Sequence, residues 1–250
     1  MVPWETFVRG LPRRVRPQRE DPIRLVCFDL DGVLLDQPSS WVEVHRHFGL
    51  DNEASLHAFL KGEITEEEFI RRDIALWMKA HPGVTLRDIG RILTKSMTLT
   101  RGAKTTVRDL RRAGIECAIV SSGIEAAAHY AAQALGIKHV SANRLHADAK
   151  GRLTGTGTVL TPLRDKAVPL RRFAKELGIP LGQVCAVGNS SPDIGMFRSA
   201  GLAIAFRPSD EWVQSAADVV LEGESLREVL DPIGLKRLRA ARKQLVVGGI

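Results

Sequence analysis

Cysteine is scarce in this chain, and so are aromatic residues and long apolar runs. There are three cysteines, one tyrosine, and an aromatic share of 5% across 250 residues. Cys27, Cys117 and Cys185 each sit inside a short apolar run, LVCFDL, IECAIV and VCAVG. Three thiols with no close pair argue against a disulfide framework or a zinc site, and they read as reduced core residues. That points to a reducing, cytoplasmic setting. No stretch approaches the roughly 18–20 apolar residues that a membrane helix needs, so no membrane partner is expected. The N-terminus lacks an apolar run followed by a small-residue cleavage site, so no secretory signal is expected.

Charge of one sign is absent from the body of the chain. The formal charge is +7, yet residues 1–20 carry +3 and residues 235–250 carry +5, which leaves −1 for everything between. The basic character belongs to the two ends. Without interleaved aromatics, those ends read as solvated tails rather than a nucleic-acid surface, and nucleic acid is not an expected partner. If they did recruit a nucleic-acid terminus, binding would fall steeply with salt.

Hydrophobic residues make up 44% of the chain and charged residues 26%, ordinary values for a globular protein with one substantial core. Residues 1–22 hold four prolines and several arginines and read as an irregular basic lead-in. IRLVCFDLDG reads as a buried strand that delivers acids to its C-terminal end. Residues 40–98 contain no convincing strand, and the inserted segment is set at 37–98. Helical spacing near 41–48, 53–60, 65–79 and 85–96 predicts a small inserted helical cap, with Thr65 and Glu68 as a capping box. From residue 99 to 232 strands alternate with helices. Helices are predicted at 103–113, 124–135, 165–177 and 193–200. Strands are predicted at 115–120, 138–142, 183–187, 202–206 and 218–221, with a hairpin over 144–159. Residues 233–250 read as a basic helical extension. The expected fold class is α/β. Its core, 23–36 with 99–232, is a Rossmann-like, mostly parallel sheet with right-handed crossovers. Ligands in such sheets bind beyond the carboxyl ends of the strands.

Three polar clusters follow apolar strand runs: Asp29-Leu30-Asp31-Gly32, Ser121-Ser122-Gly123 and Gly188-Asn189-Ser190-Ser191-Pro192-Asp193. Parallel strands would bring all three to one sheet edge. Carboxylates with Asn189 and Asp193 can hold one hard cation through oxygen. Asp29 can attack phosphorus, Asp31 can trade protons with the leaving oxygen, and Lys166 can offer a fixed charge to the transferring group. Ser121 and nearby backbone N–H groups suit phosphate oxygens. Each feature alone has an ordinary reading. Asp-x-Asp-Gly also makes surface turns, Ser-Ser-Gly caps helices, Lys166 could be a solvated helix lysine, and Asn189 and Asp193 could cap a helix. Four elements in this order, each at a strand-to-helix junction, carry the chemical reading. His45 and His47 do not share a helix face and read as structural or exposed. Gly155-Thr156-Gly157 reads as a hairpin bend, and Trp77 and Met78 as packing inside the cap.

The pattern resembles the haloacid dehalogenase superfamily, and within it the phosphoserine phosphatase-like branch. The motifs are FDLDGV at 28–33, VSSG at 120–123, Lys166 and VGNSSPD at 187–193, with ANRLHADAKGRLTG at 142–155 and a helical cap after the first motif. The resemblance spans about residues 23–222. It implies a magnesium-dependent phosphatase acting through an aspartyl-phosphate on a small phosphorylated metabolite, phosphoserine included. A phosphotransferase or phosphomutase, or a weakened phosphate-binding module, are the alternatives. The roles it implies are Asp29 as nucleophile and Asp31 as general acid/base. Asp29, the Asp31 carbonyl and Asn189 would ligate the metal. Ser121, Ser122 and Gly123 would bind phosphate, Lys166 would contact nucleophile and phosphate, and Asp193 would support the site. Asn189 and Pro192 depart from the family pattern, which usually has Asp and Asn there, and Asn189 implies weaker metal affinity. Gln37-Pro38-Ser39-Ser40 lacks the branch's amine-reading Glu. The cap's carboxylate-reading arginine aligns with Asp73, with Arg72 beside it as the candidate substrate contact. The resemblance leaves monomer or homodimer open.

Overall fold

The computed structural model describes residues 4–12 and 15–235. The central element is a seven-stranded sheet in the order β4-β3-β2-β1-β5-β6-β7. Its strands are β1 (Leu25–Phe28), β2 (Glu116–Ile124), β3 (His139–Ala147), β4 (Leu153–Thr158), β5 (Val184–Gly188), β6 (Leu202–Phe206) and β7 (Val219–Leu221). All neighbours run parallel except β3 and β4, the predicted hairpin. In β1, every residue is buried, because helices cover both faces. Val26 and Phe28 pack into one core with residues of α6 (Ala103–Arg112) and α7 (Glu125–Leu135). Leu25 and Cys27 point the other way, into a core with α8 (Ala167–Glu176) and α9 (Ile194–Phe197). This is the period-2 alternation of a strand serving two layers.

The insert after β1 holds four helices: α2 (Ser40–His47), α3 (Glu53–Lys61), α4 (Glu66–Ala80) and α5 (Leu86–Ser96). Their apolar stripes close on Ile70, Ile74, Trp77, Ile89 and Leu93, which join the larger core. Helix α5 starts at a full capping box between Thr85 and Asp88. Helix α4 starts at half of the expected one. Thr65 Oγ1 accepts the Glu68 N–H at 3.2 Å, but the Glu68 carboxylate turns outward to Arg71 and Arg72. Two ion pairs there outcompete one backbone N–H.

Several expectations are corrected. The lead-in is not wholly irregular: Trp4–Arg9 form α1. Phe7 and Leu11 pack with Phe59, Leu60, Phe69 and Ile194, so this segment bridges insert and sheet domain. Nor are its arginines all solvated. Arg16 pairs with Asp218 and donates to the Ala200 carbonyl, because the carboxylate and a loop carbonyl both lie beside it. Strand β2 continues through Ser121-Ser122-Gly123 to Ile124, where a helix junction was expected, with its register on β3 shifting after Val120. The helix expected at 193–200 is a 3-10 turn at Ser191–Asp193 followed by the four-residue α9, since Asp193 is turned back to cap its own loop. A further helix, α10 (Glu211–Ala216), starts at an Asp210 cap that the sequence reading passed over. The basic extension at 236–250 lies outside the described residues.

All three cysteines are free and buried. Burial raises the Cys27, Cys117 and Cys185 thiols above their ordinary range, which leaves them as inert core groups. Among the described residues no helix is long and apolar enough to cross a membrane.

Ile74 is fully buried on α4, where the insert meets the larger core. Ile74→Ala is expected to lower the free energy of unfolding by about 2–5 kcal/mol. Urea denaturation followed by circular dichroism measures the loss.

Candidate active site

Asp29 follows directly on β1, and its N–H donates to the Val187 carbonyl of β5 at 2.8 Å. That bond carries the β1/β5 register one residue past the strand and sets Asp29 beside the loop that starts at Gly188. Lys166, immediately before α8, reaches in from the other side. Its Nζ lies 2.8 Å from Asp29 Oδ1 and 2.7 Å from Asp193 Oδ1. Asp29, Lys166 and Asp193 are 4%, 3% and 0% exposed. The second Asp193 oxygen accepts the N–H groups of Asn189 at 2.8 Å and Ser190 at 3.0 Å. Asp193 therefore holds the Asn189 loop and the lysine at once. Ser209 and Asp210 hold the same loop from outside, through Ser209 N–H to Asn189 O and Ser191 N–H to Asp210 Oδ2.

Asp31 is anchored from the insert. Its Oδ2 accepts the Ser40 N–H at 2.9 Å and the Ser40 hydroxyl at 3.0 Å. The Ser40 oxygen in turn accepts the Ile124 N–H at 3.0 Å. Ser121 Oγ accepts the Gly123 N–H at 2.9 Å. These groups converge so closely that a Cβ on Gly123 would lie 2.5 Å from Ser40 Oγ and 2.8 Å from Asp31 Oδ2. Gly32 has φ +78°, and a Cβ there would lie 2.1 Å from Asn189 Nδ2. Both glycines are demanded by close approach rather than by turn flexibility alone.

One cavity of about 350 Å³ joins these residues. Asp29, Asp31, Ser121, Ser122, Gly123, Lys166 and Asn189 all line it. Arg72 does not. Its side chain is 43% exposed and its Nε donates to Glu68 at 2.7 Å, one turn back on α4. The arginine expected to touch substrate is thus turned to solvent, and Asp73 takes the cavity-facing position on that helix. Sequence reasoning also passed over Ser40, Trp41, Asn143 and Glu66. Trp41 Nε1 and Asn143 Nδ2 both donate to the Ser122 carbonyl at 3.0 Å, fixing the Ser121–Gly123 segment from two elements. The signal available for Ser40 and Trp41 was only their closeness to the first motif. For Asn143 it was its place in the 142–155 segment, and for Glu66 there was none.

The electrostatics are unusual for a buried site. Burial pushes Asp29 up to about 7, and Asp193 pushes the same way against the pull of Lys166. Burial also raises Asp31, although the Ser40 hydrogen bonds oppose it. Lys166 itself is raised, because Asp193 and Asp29 outweigh its own burial. Three carboxyl groups share one ammonium, so the cavity floor has a deficit of positive charge.

A hard cation fits that deficit. Asp31 Oδ1 and Asn189 Oδ1 are buried oxygens with no hydrogen-bond partner. An amide oxygen in this state is a donor that magnesium takes. Among the described residues no cluster of three or more His, Cys, Asp or Glu is arranged for a metal. The expected donor set differs in kind: the Asp29 carboxylate, the Asp31 carbonyl and the Asn189 amide oxygen.

The family model for haloacid dehalogenase-like hydrolases matches residues 26–198. The chain is 33% identical over 218 residues to phosphoserine phosphatase SerB2 of Mycobacterium tuberculosis, covering 86% of this chain and 51% of that protein. It is 32% identical over 211 residues to the phosphoserine phosphatase of Methanocaldococcus jannaschii, covering 83% and 96%. The chain thus spans about half the length of the first relative and nearly all of the second. Its fold superposes on a substrate-bound phosphoserine phosphatase complex with a TM-score of 0.70 at 28% identity, over 85% of this chain and 99% of that one. A phospho-aspartyl intermediate analogue of phosphoserine phosphatase gives 0.69 at 27%, over 86% and 99%. The chain belongs to the haloacid dehalogenase-like hydrolases and, within them, to the phosphoserine phosphatase-like branch.

Two outcomes follow for the protein free of metal. Lys166→Met strands Asp29 and Asp193 without a cation, and unfolding free energy at pH 7 is expected to fall by about 3–5 kcal/mol, read by urea denaturation. The second concerns Glu66, which lines the cavity and is pushed by burial from 4.5 to about 7. A carboxyl raised in the folded state binds its proton more tightly there. Its stabilising contribution is complete below 4.5 and is lost as pH rises through 7. Glu66→Gln should therefore lose less melting temperature between pH 5 and pH 8 than the parent protein, by differential scanning calorimetry.

Proposed function

We propose that this protein hydrolyses phosphate monoesters of a small metabolite through an aspartyl-phosphate on Asp29, with magnesium as cofactor. The observation that carries the reading is the pairing of Asp29 with Lys166 at 2.8 Å on the floor of a cavity that Ser121 and Asn189 also line. A phosphomonoester is a dianion, and the floor's carboxyl groups would repel it. A divalent ion held by Asp29, the Asp31 carbonyl and Asn189 supplies the missing positive charge.

The protein's own residues then divide the work. Lys166 keeps one Asp29 oxygen oriented and offers positive charge to the phosphoryl oxygens. Ser121, with backbone N–H groups of its segment, takes the remaining phosphate oxygens, and Gly123 leaves room for them. The free Asp29 oxygen forms a bond to phosphorus as the ester P–O bond breaks. Asp31, raised by burial, gives its proton to the departing alkoxide. Water then attacks phosphorus, its proton passes to Asp31, the Asp29–phosphorus bond breaks and inorganic phosphate leaves. Trp41 and Ser40 tie the insert to this floor, which supports a lid that excludes bulk water during transfer. Asn189 in place of a carboxylate implies weaker magnesium binding. The substrate belongs to the small phosphorylated metabolites, with phosphoserine, the substrate named for the relatives, inside that class. Three buried thiols support a cytoplasmic setting.

Release of phosphate from p-nitrophenyl phosphate should require magnesium and stop on chelation. Asp29→Asn should reduce turnover by at least about 10³-fold, with no loss of melting temperature, since the amide removes a carboxyl that burial disfavours. Undiminished turnover in Asp29→Asn rules the mechanism out.

A further inference from the structure

The cavity's floor and roof differ in kind. The floor holds the phosphate chemistry. The roof, from the inserted helices, brings Trp41, Leu56, Phe69 and Ile70, together with two carboxyl groups, Glu66 and Asp73. Among the described residues, the only Lys or Arg lining this cavity is Lys166, and it is committed to Asp29 and Asp193. A carboxylate on the substrate would therefore find no cation to pair with. It would instead meet the Asp73 carboxylate, which repels it.

Asp73 is the group with unused capacity. It is 1% exposed. Its Oδ2 accepts the Asn52 amide N–H at 2.9 Å and lies 3.3 Å from His45 Nε2. His45 Nδ1 accepts the Trp77 indole N–H at 3.1 Å, which leaves Nε2 as the ring nitrogen facing Asp73. Among the described residues no lysine or arginine pairs with Asp73. Its other oxygen, Oδ1, is buried with no hydrogen-bond partner. A buried carboxylate oxygen left unpaired is costly, and a donor from a ligand would relieve it. Trp41 and Phe69 add aromatic walls, which favour a cation over an anion.

Resting on the phosphatase reading, we propose that the ester group of the substrate carries a protonated amine and no carboxylate, and that Asp73 reads the amine. In this protein Asp73 is the specificity-determining residue. Glu66, with both oxygens on the Leu163 N–H at 3.0 Å, lines the same end of the cavity.

The test compares kcat/KM, with magnesium, for 2-aminoethyl phosphate, 2-hydroxyethyl phosphate and phosphoserine. The expected order places 2-aminoethyl phosphate at least about tenfold above its hydroxyl analogue, with phosphoserine below 2-aminoethyl phosphate. In Asp73→Asn the amine-to-hydroxyl ratio should fall to within about threefold of one, mostly through KM, and Asp73→Glu should recover part of it. A merely structural role would lower both substrates together and leave the ratio standing, which overturns the proposal. So does a parent ratio near one, or phosphoserine as the best substrate, even if Asp73→Asn fails to fold. In those cases turnover of p-nitrophenyl phosphate keeps the phosphatase reading intact. Absence of turnover on every ester removes that reading, and this inference falls with it.

Discussion

A single buried ammonium between two buried carboxyl groups is the interaction on which the rest of this molecule depends. Lys166 spans Asp29 and Asp193 at 2.8 and 2.7 Å, and none of the three has meaningful access to water. Burying any one of them alone would be prohibitive. Together they require that β1, the start of α8 and the loop after β5 meet at one point. The sheet order, with β1 beside β5, makes that meeting possible. Asp193 extends the constraint by accepting two N–H groups from the Asn189 loop, so the loop cannot move without loosening the lysine.

The same triad explains the chemistry. Its balance is one positive charge short, and Asp31 widens the deficit. Oxygen atoms of Asp31 and Asn189 stand without partners in the same region. Oxygens arranged this way suit a hard cation. Stability and function draw on one arrangement, with the raised Asp29 as its physical trace.

The insert contributes through a different logic. It meets the sheet domain by polar ties at defined atoms: Ser40 to Asp31 and Ile124, and Trp41 to the Ser122 carbonyl. Trp41 also stacks on Trp77 at 5.4 Å, and Trp77 reaches His45 and so Asp73. The roof of the cavity is thus linked through packed rings to the Ser121–Gly123 segment. The N-terminal segment adds a second clasp, with Phe7 packed among Phe59 and Phe69 of the insert and Ile194 of the sheet domain.

Much of this was legible in the chain itself. Strand and helix alternation, the four inserted helices, and the order of Asp29, Ser121, Lys166 and Asn189 all follow from local signals. Apolar runs ending in Asp-x-Asp-Gly or Gly-Asn are set by short-range propensity and burial, so sequence carries them. What sequence could not decide was which neighbour each side chain would choose. Thr65 and Glu68 spelled a capping box, yet Glu68 took Arg71 and Arg72. Arg72, the expected substrate contact, followed Glu68 to the solvent while Asp73 turned inward. Helical phase and competing partners decide such outcomes, and both are properties of the packed structure. Ser40, Asn143 and Glu66 became site residues only because distant segments delivered their partners. The residues able to perform the chemistry were determined by the sequence alone. The residues that line the rest of the cavity were decided by tertiary packing, because that lining depends on which face of each helix is turned inward.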